Sequence, residues 1–202
     1  MVNMFHDPFG WFPSDLFSTV LGYLALLVFV GDELIGRYIN RKKPQGPQKS
    51  GDRYSFILIL VAEYVVALGV GIACRYFNIG TFTGLVQYFG LVILTGGFVI
   101  RAWAMLKLGR FFSRVVEIEN GHQLITDGPY RWFRHPAYTG MITIFLGLNL
   151  SLGSWVGALA GFSIVLAAAY YRIRVEEKVL LEQFGDEYHA YAQQTWMIFP
   201  GF

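Results

Sequence analysis

The sequence predicts an all-α integral membrane protein of about five transmembrane helices ending in a helical hairpin, on three observations. Of its 202 residues 54% are hydrophobic and only 15% charged, against about 25% charged in an average soluble domain, and mean hydropathy is +0.44. Five stretches reach or approach the roughly 20 apolar residues that cross a hydrocarbon core about 30 Å thick. Lys and Arg crowd into alternate connections between those stretches. The same composition excludes a disordered chain, which is polar and highly charged. A net charge of +2 offers no basic footprint for nucleic acid. By length the chain, 1–202, forms a single membrane domain, with three spans in 1–106 and the remainder in 107–202. The single cysteine, Cys74, excludes an internal disulfide, and the lack of a Cys cluster at ligand spacing excludes a thiolate metal site. Burial in lipid must hold the fold.

The first fifteen residues contain no Lys or Arg, so they do not read as the basic leader of a cleavable signal peptide, and the first apolar segment is expected to stay. The expected spans run from Leu16 to Ile35, Phe56 to Arg75, Thr83 to Leu106, Ala137 to Leu152 and Ser154 to Tyr171. Only Gly153 separates the last two, which makes them an antiparallel hairpin. Pro136 stands at its first turn, where a missing N–H is harmless. Gly153, Gly157 and Gly161 form overlapping small-residue steps that let helices approach closely in lipid.

The connection after the first span holds Arg37, Arg41, Lys42, Lys43, Lys49 and Arg53 against Asp52 alone. Lys107, Arg110, Arg114, Arg131 and Arg134 follow the third span, and Arg172 and Arg174 follow the fifth. The intervening connections, 76–82 and the Gly153 turn, contain neither Lys nor Arg. The positive-inside rule therefore gives an N-terminus outside, a cytoplasmic C-terminus and, in a prokaryotic cell, the inner membrane. Turn signals at Asn120-Gly121 and Asp127-Gly128-Pro129 make 108–134 a folded loop with short extended pieces. Val175, Val179, Leu180 and Phe184 recur at helical spacing before Gly185. They predict a fifth helix that leaves the membrane and then bends back as an amphipathic cap.

Ionisable residues near apolar helix ends are costly and need partners. Asp32 and Glu33 read as an interfacial acidic pair answering the basic loop, and Glu63 as a bundle-facing, hydrogen-bonded carboxyl. The denser set is Tyr130, Arg134, His135 and Tyr138 at one end of the hairpin and Arg172, Arg174, Glu176 and Glu177 at the other. Antiparallel helices turning at Gly153 return these two groups to the same depth. Taken alone, the second group also reads as a snorkelling cluster with an i,i+4 pair between Arg172 and Glu176.

GHQLITDGPYRWFRHPAYTG, followed about 30 residues later by YRIRVEEKVLLEQFGDEYHAY, resembles the isoprenylcysteine carboxyl methyltransferase family, from roughly Leu108 to the C-terminus. The resemblance implies S-adenosylmethionine as methyl donor and a membrane-enclosed cofactor pocket built from the C-terminal part, 107–202, the cofactor-binding and catalytic part, whose cofactor-binding segment is expected on the cytoplasmic face. It implies that His122, Gln123, Leu124 and Ile125 hold the adenine end and that Tyr130, His135, Tyr138 and Glu177 hold the methionine end. Arg134 and Arg172 become candidates for orienting an acceptor carboxylate, and Glu176 a candidate catalytic carboxylate.

Residue chemistry agrees with that implication. The donor's ammonium, carboxylate and sulfonium ask for carboxylate, cationic and aromatic partners, and this cluster contains all three. An acceptor carboxylate is ionised at neutral pH and needs no general base, whereas an amine acceptor would need Glu176 or Glu177 as one. The expected partners are a lipophilic or lipidated acceptor and membrane lipid, with neither nucleic acid nor metal. Three alternatives stand beside this reading: a phospholipid or amine N-methyltransferase, an NADPH-dependent sterol-type reductase of related fold, and a non-enzymatic membrane scaffold.

The charge asymmetry makes a direct prediction of topology. Cysteines introduced at Lys43 and at Gln193 on a Cys74→Ser background are shielded from an impermeant thiol reagent in intact cells and react after permeabilisation. Labelling of either in intact cells would overturn the orientation.

Overall fold

The computed structural model describes residues 15–41, 57–59, 61–62, 67–82, 84–113 and 123–201. The named α-helices are α1 (Asp15–Asn40), α2 (Leu68–Tyr76), α3 (Leu85–Leu108), α4 (Pro136–Ser151), α5 (Trp155–Phe184) and α6 (Asp186–Gln194). Helical turns at 57–59, 61–62 and 67 precede α2. Among the described residues there is no strand; two isolated bridges join Thr81 to Ser154 and Phe133 to Trp196. The all-helical expectation therefore holds for these residues. Among the described residues, two helical segments, Leu85–Phe111 and Trp155–Phe184, are long and apolar enough to cross a membrane.

The tightest packing in the molecule joins α3 to the antiparallel α4, and glycines make it possible. A Cβ on Gly147 would sit 2.3 Å from the backbone nitrogen of Leu94 and 2.6 Å from the carbonyl oxygen of Gly90. One on Gly140 would sit 2.6 Å from the nitrogen of Arg101 and from the oxygen of Gly97. Gly90, Gly97, Gly140 and Gly147 thus bring two backbones into direct contact, the small-residue mode of packing in lipid, where burying apolar side chains gives no drive. Polar contacts fasten the outer end of this pair: buried Gln87 donates to the Ser151 carbonyl at 3.1 Å, and the Ser151 hydroxyl donates back at 3.3 Å.

The α4–α5 hairpin forms as expected, its turn closed by Gly153 at φ 81° and by Ser154, whose hydroxyl caps α5 by accepting from Gly157 at 3.0 Å. Gly157 and Gly161, however, serve a different neighbour as well. Gly157 lies against the Cα of Gly71, and Gly161 against Ala67 and the Asn149 amide, so these glycines seat α5 on α2 as much as on α4. Their spacing shows that close approach is possible and leaves the partner unspecified.

At 30 residues α5 is about 45 Å long, more than the hydrocarbon core needs. Its last third, from Arg172 to Phe184, extends past the apolar part. Gly185, at φ 51°, ends it and α6 turns back, which is the predicted cap. On α3, Leu85, Phe89, Val92 and Val99 are exposed and form a face suited to lipid.

Introducing a methyl group at the α3–α4 contact tests its importance. Gly147→Ala forces the backbones apart and lowers the thermal unfolding midpoint of the detergent-purified protein, by the equivalent of about 1–3 kcal/mol or more. Gly96→Ala, on the same helix pair with nothing within 4 Å of its Cβ position, leaves the midpoint unchanged or slightly raised.

Candidate active site

The site forms where the chain folds back on the start of α4. Trp196 pairs with Phe133, with the amide of Arg134 donating to the Trp196 carbonyl at 2.8 Å and that of His135 to the Met197 carbonyl at 3.1 Å. The Thr139 hydroxyl donates to the Ile198 carbonyl at 2.7 Å. The tail after α6 is thereby bound to the first turn of α4, and α5 and α6 are carried to one side of it.

Glu177 is the centre of the resulting cluster. Its Oε1 accepts from Arg134 Nε at 3.0 Å and the Tyr188 hydroxyl at 3.2 Å, and lies 3.3 Å from His135 Nε2. Its Oε2 lies 3.7 Å from Arg174. Burial on its own would raise the Glu177 carboxyl, but the hydrogen bonds and charges of His135 and Arg134 outweigh it and hold the carboxyl down at about 2. Arg134 is equally engaged, its Nη1 donating to the carbonyls of Ala192 and Thr195 at the end of α6. Burial and the neighbouring Glu177 carboxylate push the Tyr188 phenol up, so it stays a donor.

A second set adjoins the first. The Tyr138 hydroxyl donates to Glu176 at 3.1 Å and accepts from the Nε of buried Arg172 at 3.3 Å. Tyr138 therefore stands between Arg172 and Glu176, the pair expected at i,i+4. Glu176 is partly exposed, and its other oxygen carries no hydrogen bond from the described residues. Tyr130 is buried, its hydroxyl directed at the Ala104 carbonyl on α3 at 3.4 Å, and its own carbonyl accepts from Tyr191 at 2.7 Å. Burial chiefly, and then the Glu176 carboxylate, keep the Tyr130 phenol protonated, with Arg101 acting in the opposite direction.

Arg134, His135, Tyr138, Arg172, Glu176 and Glu177 are brought together as the hairpin argument expected. Gln123 is exposed and Leu124 and Ile125 half-buried in the coil 123–126 that leads to the Gly128–Arg131 turn. His122 and Glu63 lie outside the described residues. Glu33 pairs with Arg37 at 2.7 Å on the surface, as an interfacial acid should. Asp32 departs from that expectation by turning inward to Arg101, 2.6 Å from Nε and 3.3 Å from Nη2.

Arg101, Tyr188 and Tyr191 were not singled out in the sequence. Arg101 interrupts the apolar run 85–106 and should have been flagged by the rule that drew attention to Asp32 and Glu63. The two tyrosines fall three apart in the FGDEYHAY stretch, one face of a short helix. Asp32 and Arg101 both line a cavity of about 280 Å³ between α1, α3 and α4, whose other lining residues among those described, including Leu26, Phe29, Leu94 and Phe145, are apolar. Arg101 Nη1 donates to the Ala137 carbonyl at 3.2 Å, one residue from Tyr138. Cavity and cluster therefore meet across the first turn of α4.

The helical bundle thus places a charged cluster beside an apolar cavity. The isoprenylcysteine carboxyl methyltransferase family matches over residues 89–182. Protein-S-isoprenylcysteine O-methyltransferase of Schizosaccharomyces pombe is 34% identical over 172 residues, 75% of this chain and 72% of its own. Protein-S-isoprenylcysteine O-methyltransferase B of Arabidopsis thaliana is 31% identical over 145 residues, 68% of this chain and 74% of its own. The solved structure of the eukaryotic intramembrane Ras methyltransferase superposes with a TM-score of 0.54 at 28% identity, covering 75% of this chain and 54% of that one. The chain belongs to the isoprenylcysteine carboxyl methyltransferase family.

The adjacent glutamates differ in their bonding: Glu177 is held by Arg134, His135 and Tyr188, and Glu176 by Tyr138. Glu177→Ala leaves Arg134 and His135 without their carboxylate, costs about 1.5–3 kcal/mol, and exposes the tail after α6 to protease. Glu176→Gln keeps the unfolding midpoint but weakens S-adenosylhomocysteine binding about ten- to a hundredfold in calorimetry, the loss of one charged partner. Equal stability loss in both variants would refute the division.

Proposed function

We propose that this protein is an S-adenosylmethionine-dependent methyltransferase of a five-span membrane fold that O-methylates the carboxylate of a lipophilic, isoprenylcysteine-like acceptor at the cytoplasmic interface of the inner membrane. The observation that carries the reading is the meeting of the apolar cavity and the charged cluster across Ala137 and Tyr138. One site suits a lipid chain and the other a zwitterionic, water-soluble donor.

The cluster's chemistry fits that donor. Glu176, with an oxygen to spare, suits the ammonium, and Arg172 and His135 suit the carboxylate. The rings of Tyr138 and Tyr188 suit the sulfonium, and Gln123, Leu124 and Ile125, with His122, remain the proposed adenine contacts. When bound, the donor supplies an electrophilic methyl group that passes from sulfur to oxygen while the carbon–sulfur electron pair stays on sulfur. Glu177 and Arg134, engaged with each other and with α6, hold the pocket's shape.

Arg101 is the cation best placed for the acceptor's carboxylate, since it lines the cavity, while Arg172 steadies Tyr138. The acceptor arrives already ionised, so these residues have only to fix it in line and exclude water. Orientation of that kind supplies up to about 7–11 kcal/mol. Apolar walls strip water from the carboxylate as it enters.

A series of S-alkyl-cysteine acceptors with radiolabelled donor tests the reading. The product is a base-labile methyl ester, and kcat/KM falls about fourfold for each CH₂ removed, the equivalent of about 0.8 kcal/mol. A base-stable product would favour the amine N-methyltransferase, and indifference to chain length would remove the cavity from the acceptor path.

A further inference from the structure

From Trp155 to Leu181 the exposed residues of α5 recur every three or four positions, apart from the adjacent Tyr170 and Tyr171, and so they share one face of the helix. The first part of that face suits hydrocarbon. Leu159 and Ala167 are apolar, and the Ser163 hydroxyl donates to the Leu159 carbonyl at 2.8 Å, which leaves no idle donor towards lipid. Trp155 and Tyr171 bracket this part about 24 Å apart along the axis, and such rings settle at the two membrane–water interfaces.

Beyond Tyr171 the same face turns basic. Arg174 follows about 5 Å and Lys178 about 10 Å further along the axis. The headgroup layer on each side of the core is about 5–7 Å deep, within reach of two long side chains that carry their charge at the tip. Neither cation is satisfied as Arg134 is. Arg174 is 61% exposed and meets Glu177 Oε2 at 3.7 Å. Lys178 is exposed and makes no hydrogen bond or ion pair with a described residue, Glu182 one turn further on included. Like charges at i,i+4 oppose each other on a helix, so an anion held between them relieves the pair.

A phospholipid complements this face from end to end. Its acyl chains lie along Leu159 and Ala167, its glycerol backbone reaches the tyrosines, and its phosphate meets the two cations. A zwitterionic headgroup brings an ammonium of its own to a site that already holds two cations, whereas a headgroup of net negative charge does not.

We propose that the face of α5 formed by Tyr171, Arg174 and Lys178 binds an anionic phospholipid of the surrounding bilayer. Because Arg174 also meets Glu177, the bound headgroup ties the charged cluster to the depth of the membrane surface. Binding there needs neither acceptor nor methyl donor, so it is independent of the reaction proposed above.

Native mass spectrometry of the detergent-purified full-length protein, given equal amounts of phosphatidylglycerol and phosphatidylcholine with identical acyl chains, provides the test. The unaltered protein should retain phosphatidylglycerol about tenfold or more over phosphatidylcholine. Lys178→Gln should lower that ratio about fivefold, the effect of one cation near an anionic membrane surface, and Arg174→Gln added to it should bring the two lipids within about twofold. Arg131→Gln, which removes an exposed arginine outside α5, should leave the ratio unchanged. If the double variant does not fold, because Arg174 meets Glu177, Lys178→Gln alone decides, since that side chain has no partner among the described residues to lose. Equal retention of the two lipids, a ratio that survives these substitutions, or an equal fall in Arg131→Gln would overturn the assignment. Displacement of phosphatidylglycerol by inorganic phosphate at the same concentration would also overturn it, by making the site one for free anions.

Discussion

Backbone contact between α3 and α4 is the constraint on which the rest of the structure depends. Gly90, Gly97, Gly140 and Gly147 let the helices touch along their length, and that contact sets where the first turn of α4 lies relative to α3. The Arg101 guanidinium then reaches the Ala137 carbonyl, and Tyr130 reaches the Ala104 carbonyl. Even a slight separation of the helices would break both bonds, since a hydrogen bond weakens steeply beyond its normal length. A packing motif of small residues in lipid thus positions charged groups at the interface.

The charged cluster depends in turn on Glu177. Three donors converge on one of its oxygens, and two of them, half-buried Arg134 and buried His135, stand just before α4. A half-buried carboxylate offsets its lost hydration through such bonds, here concentrated on Oε1. Because Arg134 also donates to the end of α6, the same network fastens the C-terminal tail to α4. A change at either end of the network therefore reaches the other.

The hairpin and its consequences were legible in the sequence. Antiparallel geometry about Gly153 is enough to bring His135 and Tyr138 to Arg172, Glu176 and Glu177, and positive φ at Gly185 matches the predicted end of α5. What could not be read were choices of partner. The spacing of Gly157 and Gly161 signals close approach, yet α2 and α4 are equally possible neighbours until the bundle is assembled. Arg134 looks available for a substrate anion in the sequence, because the carbonyls that occupy it lie 58 and 61 residues away. Asp32 and Glu33 are adjacent and alike, but successive helix residues point about 100° apart, so one meets Arg37 in water and the other Arg101 in the bundle.

That same rotation gives one turn of α4 two differently furnished flanks. Ala137 and Tyr138 are consecutive, so the carbonyl that receives Arg101 and the side chain that meets Glu176 and Arg172 belong to different flanks of the helix. On one flank the lining is apolar apart from Asp32 and Arg101; on the other it is charged and partly exposed. On the proposed function, a water-soluble donor and a lipid-soluble acceptor would approach these two flanks from their own phases and meet across a single helical turn. Placing the junction at a helix start has a further advantage. The first-turn amide groups are not used within the helix, and here the tail's carbonyls accept from Arg134 and His135 just before it, leaving this wall of the site rigid without filling the space beside it.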